Sequence, residues 1–213
     1  MSIIIGVSGK KQAGKSTLCE YLTDRYKSQF DSIKIYSFAD PLKRFCVDGM
    51  GLSEEQCYGP DEDKNTFTKY KWDTLPIEIR NKFSIKGEGS KRGPMTAREV
   101  LQIFGTNVMR KMFSDKIWVN ATISLIKREK PTIAFIADVR FRSEIDALMN
   151  EKDGYAVRLT RRLFDDSHPS EVDLDDFDFR SLGDRCLVID NQNLTIDEKN
   201  DIAVPFFERI TGI

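Results

Sequence analysis

"GVSGKKQAGKST", residues 6–17, places three glycines and three lysines within a dozen positions. That composition is poor material for a packed core. It is preceded by "SIIIGV" (2–7), a β-branched run of the kind that suits a buried strand. After it, residues 15–27 put Leu18, Cys19, Leu22 and Tyr26 on one face at helical spacing. Strand, glycine-rich loop and helix, in that order, open an α/β unit.

Gly9, Gly14, Lys15 and Ser16 satisfy the pattern G-x-x-x-x-G-K-[ST]. The chemistry requires this spacing. Glycines let the backbone curl so that successive N–H groups face a phosphate, and the helix start adds its positive end. The stretch is therefore expected to hold the phosphates of a nucleotide, ATP first, along Gly9, Lys11, Ala13, Gly14, Lys15, Ser16 and Thr17. In that role Lys15 reaches the β- and γ-phosphates, and the Ser16 hydroxyl ligates Mg²⁺.

The 213 residues suffice for one well-buried domain with an insertion. A net charge of −1 argues against a dedicated nucleic-acid binder, which carries a basic excess. Four cysteines without CxxC spacing and a single histidine argue against a zinc site or a disulfide scaffold, and for a reducing compartment. The opening apolar run is too short for a membrane span, so a soluble, cytoplasmic protein without a membrane partner is expected.

Further apolar runs at 33–38, 132–137, 155–159 and 186–189 alternate with helical patterns at 97–112, 116–127, 141–149 and 194–210. Five buried runs alternating with helices imply a parallel sheet covered on both faces. In the 97–112 pattern, Val100, Leu101, Phe104, Val108 and Met112 fall on one side. Two stretches break the rhythm: 59–95, rich in charge, Gly and Pro, and 161–184, which opens on two arginines and turns acidic. Long irregular segments in a domain are usually functional loops or lids, so the first is expected to be a substrate-binding insertion and the second a lid. The acidic part has no glycine turn or regular ligand spacing, and is read as a solvated loop rather than a calcium site.

Three further stretches carry candidate chemistry. "YSFADPLKRF" (36–45) ends a strand and starts a helix, which puts Asp40, Lys43 and Arg44 at the carboxyl edge of the sheet, where ligands bind. They are either grips for an acceptor phosphate or a capped helix start with solvated cations. "IADVRFRSEID" (136–146) places Asp138 where a carboxylate would approach Mg²⁺ through water, followed by Arg140 and Arg142. Arginine suits phosphate because its planar fork binds oxygens in pairs. In "TAREVLQIFGTNVMR" (96–110), Arg98 and Gln102 stand four apart on one helix face, open either to a nucleotide or to solvent.

Together these stretches resemble the phage-type deoxynucleoside monophosphate kinases, a branch of the P-loop nucleoside monophosphate kinases. "FADPLK", "LQIFGT" with a following Trp118, "DVRF" before "SE", and Asp166, His168 and Glu171 in "DSHPSE" recur in that order over most of the chain. The resemblance implies a five-stranded parallel sheet with helices on both faces, and one P-loop kinase domain spanning 1–213. It implies transfer of the γ-phosphate of ATP to a dNMP, with Mg²⁺, giving dNDP and ADP as DNA precursors. By position it places Gly14, Lys15 and Ser16 on the ATP phosphates and metal, and Lys43 at the acceptor phosphate. Arg98 and Gln102 fall near the acceptor nucleotide, with Asp40 orienting its sugar or a water. Arg140 and Arg161 would close on the reacting phosphates, Arg140 touching the acceptor as well, and Asn191 would lie near the adenine. His168 would be a hydrogen-bonding lid residue.

Other readings remain at this stage: a kinase of another small acceptor or of modified DNA bases, or a P-loop ATPase or switch with no acceptor. DNA as acceptor calls for a basic track, which the balanced charge does not provide. The cation pairs Lys43–Arg44, Arg140–Arg142 and Arg161–Arg162 favour a second phosphate-bearing substrate. The expected partners are thus ATP and a dNMP, without stable nucleic-acid binding, and a homodimer is left open. If the chain is phage-encoded, the compartment is the host cytoplasm.

Overall fold

The computed structural model describes residues 2–83, 89–163 and 172–213, and each of the five apolar runs becomes a strand in it. In chain order the elements are β1 (Ile3–Ser8), α1 (Lys15–Tyr26), β2 (Ile33–Tyr36), α2 (Asp40–Asp48), α3 (Glu54–Tyr58), α4 (Asp61–Lys64), β3 (Phe67–Lys71) and α5 (Ile77–Lys82). There follow β4 (Pro94–Thr96), α6 (Ala97–Gln102), a π-helical stretch (Ile103–Phe113), α7 (Ile117–Glu129), β5 (Ile133–Val139), α8 (Arg142–Asn150), β6 (Gly154–Leu159), β7 (Cys186–Ile189) and α9 (Ile196–Thr211). They divide into two units: one runs to Ala39 and resumes at Trp118, the other is Asp40–Ile117.

The first unit is built on a five-stranded parallel sheet in the order β2-β5-β1-β6-β7. Its central strand reads IIIGVS and is buried from Ile4 onward, as expected of a strand covered on both faces. Successive side chains point to opposite faces. Ile5 and Val7 therefore join Leu18 and Leu22 of α1 and Phe207 of α9 in one core cluster. Ile4 joins Val119 and Ile126 of α7 and Ile145 and Leu148 of α8 in the other. Phe207 stacks on Tyr26 with ring centroids 4.6 Å apart, and burying such a ring is worth about 1.5–3 kcal/mol. At Gly6 a Cβ would stand 2.2 Å from Leu148 Cδ1, so α8 packs this close only over a glycine.

The second unit has its own core of Cys46, Leu52, Cys57, Trp72, Met95, Ala97, Val100 and Ile103. Here the structure departs from the expected irregular 59–95 insertion. That segment contains α4, β3, α5 and the start of β4, with β3 and β4 antiparallel. It escapes sequence reading because its elements are short and β3 (FTKYK) buries no residue fully. Trp72 anchors it instead, 2% exposed, donating its indole N–H to Glu99 at 3.2 Å.

The long amphipathic helix expected over 97–112 is also corrected. Regular α-helix ends at Gln102 and wider π turns carry the chain to Phe113. The change of period shifts the apolar phase, and Met112 ends up 75% exposed. Phe104, by contrast, packs on the second core and stacks on Phe45 at 5.1 Å, and Trp118 is a core residue of the first unit. Among the described residues no helix is long and apolar enough to cross a membrane.

Candidate functional site

The loop between β1 and α1 turns through left-handed backbone at Gln12 (φ 61°) and Gly14 (φ 90°). Gly14 precedes α1 without a side-chain cap, and the first turn of α1 carries no acidic residue. The positive helix end is thus not offset by a local carboxylate. Lys15 lies back across the loop, its ammonium donating to the carbonyls of Gly9 and Lys10 at 2.8 Å each. Only 8% of Lys15 is exposed. Burial pushes its pKa down to about 8, helped by Arg140 and Arg158 and opposed by Asp138. The Ser16 hydroxyl is exposed and has no partner among the described residues, so it can serve as a hard oxygen ligand of the kind Mg²⁺ takes.

Asp138 is the penultimate residue of β5, beside the exit of β2, and is committed there. Its Oδ2 accepts from the Ser37 hydroxyl at 2.5 Å and the Ala39 N–H at 3.1 Å, and its Oδ1 from the Phe38 N–H at 2.7 Å. A carboxylate offers about four lone-pair sites, so capacity for a metal-bound water remains. No cluster of three or more Asp, Glu, His or Cys among the described residues could cage a metal. The exposed Ser16 hydroxyl and the spare capacity of Asp138 would fit a cation held mainly by phosphate and water. Arg140 follows Asp138, and its N–H and that of Phe141 donate to the buried Glu144 carboxylate at 2.7 and 3.0 Å.

Beyond the loop, the exits of β6 and β7 are laced together. Arg161 donates its N–H to Asn191 Oδ1 at 2.8 Å, Nε to the Asn191 carbonyl at 3.1 Å and Nη2 to the Leu194 carbonyl at 2.7 Å. Asn191 is 1% exposed and donates Nδ2 to the Ala13 carbonyl at 3.0 Å. Both ends of its amide are thus bound to protein. Arg142 is held by the Asp173 carbonyl at 3.2 Å and by the Asp176 carboxylate. Lys10 pairs with Asp175 at 2.5 Å. The described part of the acidic stretch thus keeps its carboxylates at 175, 176 and 178 exposed to solvent while two of them hold cations. The rest of the expected lid, 164–171 with His168, lies outside the described residues.

Two residues near the loop were not singled out from the sequence. Arg158, in register with Ser8, donates to the Ser8 hydroxyl at 2.9 Å and lies over the Phe179 ring at 5.1 Å. Lys199 is 2% exposed and donates to the Gly14 carbonyl at 2.9 Å and Thr17 Oγ1 at 3.2 Å. Each carries a signal in hindsight: an arginine inside the apolar run YAVRL, and a lysine in helical phase with Ala203, Phe206 and Phe207. Burial holds both side chains below their ordinary pKa ranges.

The remaining candidates belong to the second unit. Asp40 is the first residue of α2, and Lys43 sits over the Tyr58 ring at 4.8 Å. Arg44 pairs with Glu54 at 2.9 Å. On α6, Arg98 donates to Asp61 at 2.8 Å and Asn65 at 3.0 Å, while Gln102 closes the helix. The structure thus brings the loop, Asp138 and Arg140 close enough to act electrically on Lys15. The candidates Asp40, Lys43, Arg98 and Gln102 are carried by separate helices of the other unit.

No family model matches the chain. A protein of Escherichia phage T5 named deoxynucleoside-5'-monophosphate kinase is 22% identical over 182 residues, covering 70% of this chain and 72% of its own. A protein of Acanthamoeba polyphaga mimivirus assigned as a deoxynucleotide monophosphate kinase is 31% identical over 212 residues, 92% of this chain and 91% of its own. A parallel α/β sheet with a glycine-lysine-serine loop at the tip of its central strand, matched along nearly its full length to that relative, places the chain in the deoxynucleotide monophosphate kinase family.

Proposed function

We propose that this protein transfers the γ-phosphate of ATP to a deoxynucleoside monophosphate, giving dNDP and ADP. The observation that carries the reading is Lys15, held across the loop by the Gly9 and Lys10 carbonyls at 2.8 Å. There its charge is desolvated and set beside uncapped helix N–H groups. Such a group favours a polyphosphate over a solvated anion.

In the proposed mechanism Gly9, Lys11, Ala13, Gly14, Lys15 and Thr17 line the donor phosphates and Asn191 shapes the donor side. Ser16 would ligate Mg²⁺, with Asp138 reaching it through water, and the ion would supply charge neutralisation at the donor phosphates. Lys15 and Arg140 neutralise charge on the transferring group, with Arg140 also reaching the acceptor phosphate. Arg161 contributes its Nη1, which has no partner among the described residues, while its other donors hold the 191–194 backbone. Asp40, Lys43, Arg98 and Gln102 take the acceptor. An acceptor phosphate is already ionised at neutral pH, so positioning and charge neutralisation suffice without a strong general base.

ADP formation measured with each of the four dNMPs, the matching NMPs and no acceptor tests this reading. Turnover that depends on a dNMP is expected. ATP hydrolysis at the same rate without acceptor would make the protein an ATPase instead.

A further inference from the structure

Lys199 is an expensive residue to keep. It is 2% exposed, its bonds among the described residues go to neutral oxygens rather than a carboxylate, and it sits in the opening turns of α9. A cation there opposes the helix dipole as well as losing hydration. Stability alone would be better served by an apolar side chain of the same length. What its ammonium does accomplish is to hold one carbonyl, that of Gly14, and the hydroxyl of Thr17, which itself donates to Gly14 at 2.9 Å.

Asn191 performs the same task one residue earlier. Its Oδ1 is taken by the Arg161 N–H, so its Nδ2 is the donor, and that donor goes to the Ala13 carbonyl. In a planar trans peptide the C=O of one residue and the N–H of the next point in opposite directions. Drawing the Ala13 carbonyl toward Asn191 therefore aims the Gly14 N–H the other way. The Gly14 carbonyl takes the Leu18 N–H of α1 at 3.2 Å and is held by Lys199 as well, which turns the Lys15 N–H the opposite way. These are successive amides of the phosphate loop.

We propose that Asn191 and Lys199 are positioning residues that fix two consecutive peptide planes of the loop, presetting the Gly14 and Lys15 N–H groups for polyphosphate. This rests on the reading of the loop as the ATP site. Donors already aimed at a developing or bound charge need no reorganisation when it arrives. The role is thus to hold the loop in its binding form.

The test uses the full chain, with calorimetric binding of MgATP and of inorganic tripolyphosphate, and thermal unfolding as a separate readout. Lys199→Met should weaken both ligands about tenfold, the loss typical of a hydrogen bond to a charged group. Lys199→Arg should recover part of that loss, and Asn191→Ala, which removes the other grip, should repeat it. A fall in Tm with tripolyphosphate affinity unchanged in both Lys199→Met and Asn191→Ala would reduce the pair to structural props and overturn the proposal. Loss of MgATP affinity with tripolyphosphate unaffected would also overturn it, by making these residues contacts of the base or sugar. Failure of the reading beneath it looks different: the unaltered chain would then bind neither ligand. Polyphosphate binding without dNMP-dependent turnover would remove the acceptor while leaving this inference in place.

Discussion

Asp138 accepts a hydrogen bond from the Ser37 hydroxyl at 2.5 Å, across the edge where β5 meets the exit of β2. The same carboxylate takes the N–H groups of Phe38 and Ala39. The residue read from sequence as a route to the metal is therefore also the clamp on the turn that leads into Asp40. An Asp138→Asn variant replaces one acceptor with a donor facing donors. It should lose about 1–3 kcal/mol of stability and turn over more slowly. Thermal unfolding indistinguishable from the unaltered protein would show that the clamp contributes nothing.

Lys15→Ala should lower kinase activity at least ~100-fold, because preorganised charge on the transferring group is lost. A folded variant with near-normal turnover would remove the loop from the active site.

The depressed pKa of Lys15 gives a pH dependence with a definite sign. The free side chain loses its proton as pH rises through about 8, whereas a bound polyphosphate favours the charged form. Binding then takes up a proton, and MgATP affinity should fall from about pH 8 upward, by up to about tenfold per pH unit. In the free protein the same depression means that ionised Lys15 opposes folding below about pH 8, a cost relieved as pH rises toward the ordinary lysine value of 10.5. Calorimetry across this range, repeated on Lys15→Met, separates Lys15 from other titrating groups. A slope that survives in the variant would assign it elsewhere.

On the proposed acceptor side, Lys43→Ala and Arg98→Ala should each raise KM for the dNMP more than KM for ATP. Arg98 is 37% exposed in its pair with Asp61, and such surface pairs are worth about 0–1 kcal/mol. Its loss should therefore leave Tm almost unchanged and any KM effect readable. An effect on ATP alone would place both residues with the donor.

Gly6→Ala tests the core rather than the chemistry. The added methyl would meet Leu148 Cδ1 at 2.2 Å and Val139 Cγ2 at 2.9 Å, and overpacking of this kind costs about 1–3 kcal/mol. A Tm equal to that of the parent would mean that α8 moves away without penalty.

The parallel sheet and the glycine-lysine-serine loop were legible in the sequence because their signals are local. Runs such as IIIGV and IAFI, and the spacing of Gly9, Gly14, Lys15 and Ser16, state their structure within a few residues. The second unit was not legible. β3 alternates exposed and half-buried residues, and what fixes it is Trp72, packed beside Met95 and bonded to Glu99 well over twenty positions away. The π turns after Gln102 are a choice of backbone period that side-chain type does not announce, and they put Met112 outside. Identity of residue type likewise predicted that Arg142 and Arg161 would be cations near phosphate, but not that Asp176 and the 191–194 backbone would hold them. Sequence alone determined the five strands of the parallel sheet and the glycine-lysine-serine loop that follows the central one. Which cations are tied, and which buried side chains hold the loop, depend on partners up to 185 residues apart, and only folding brings those together.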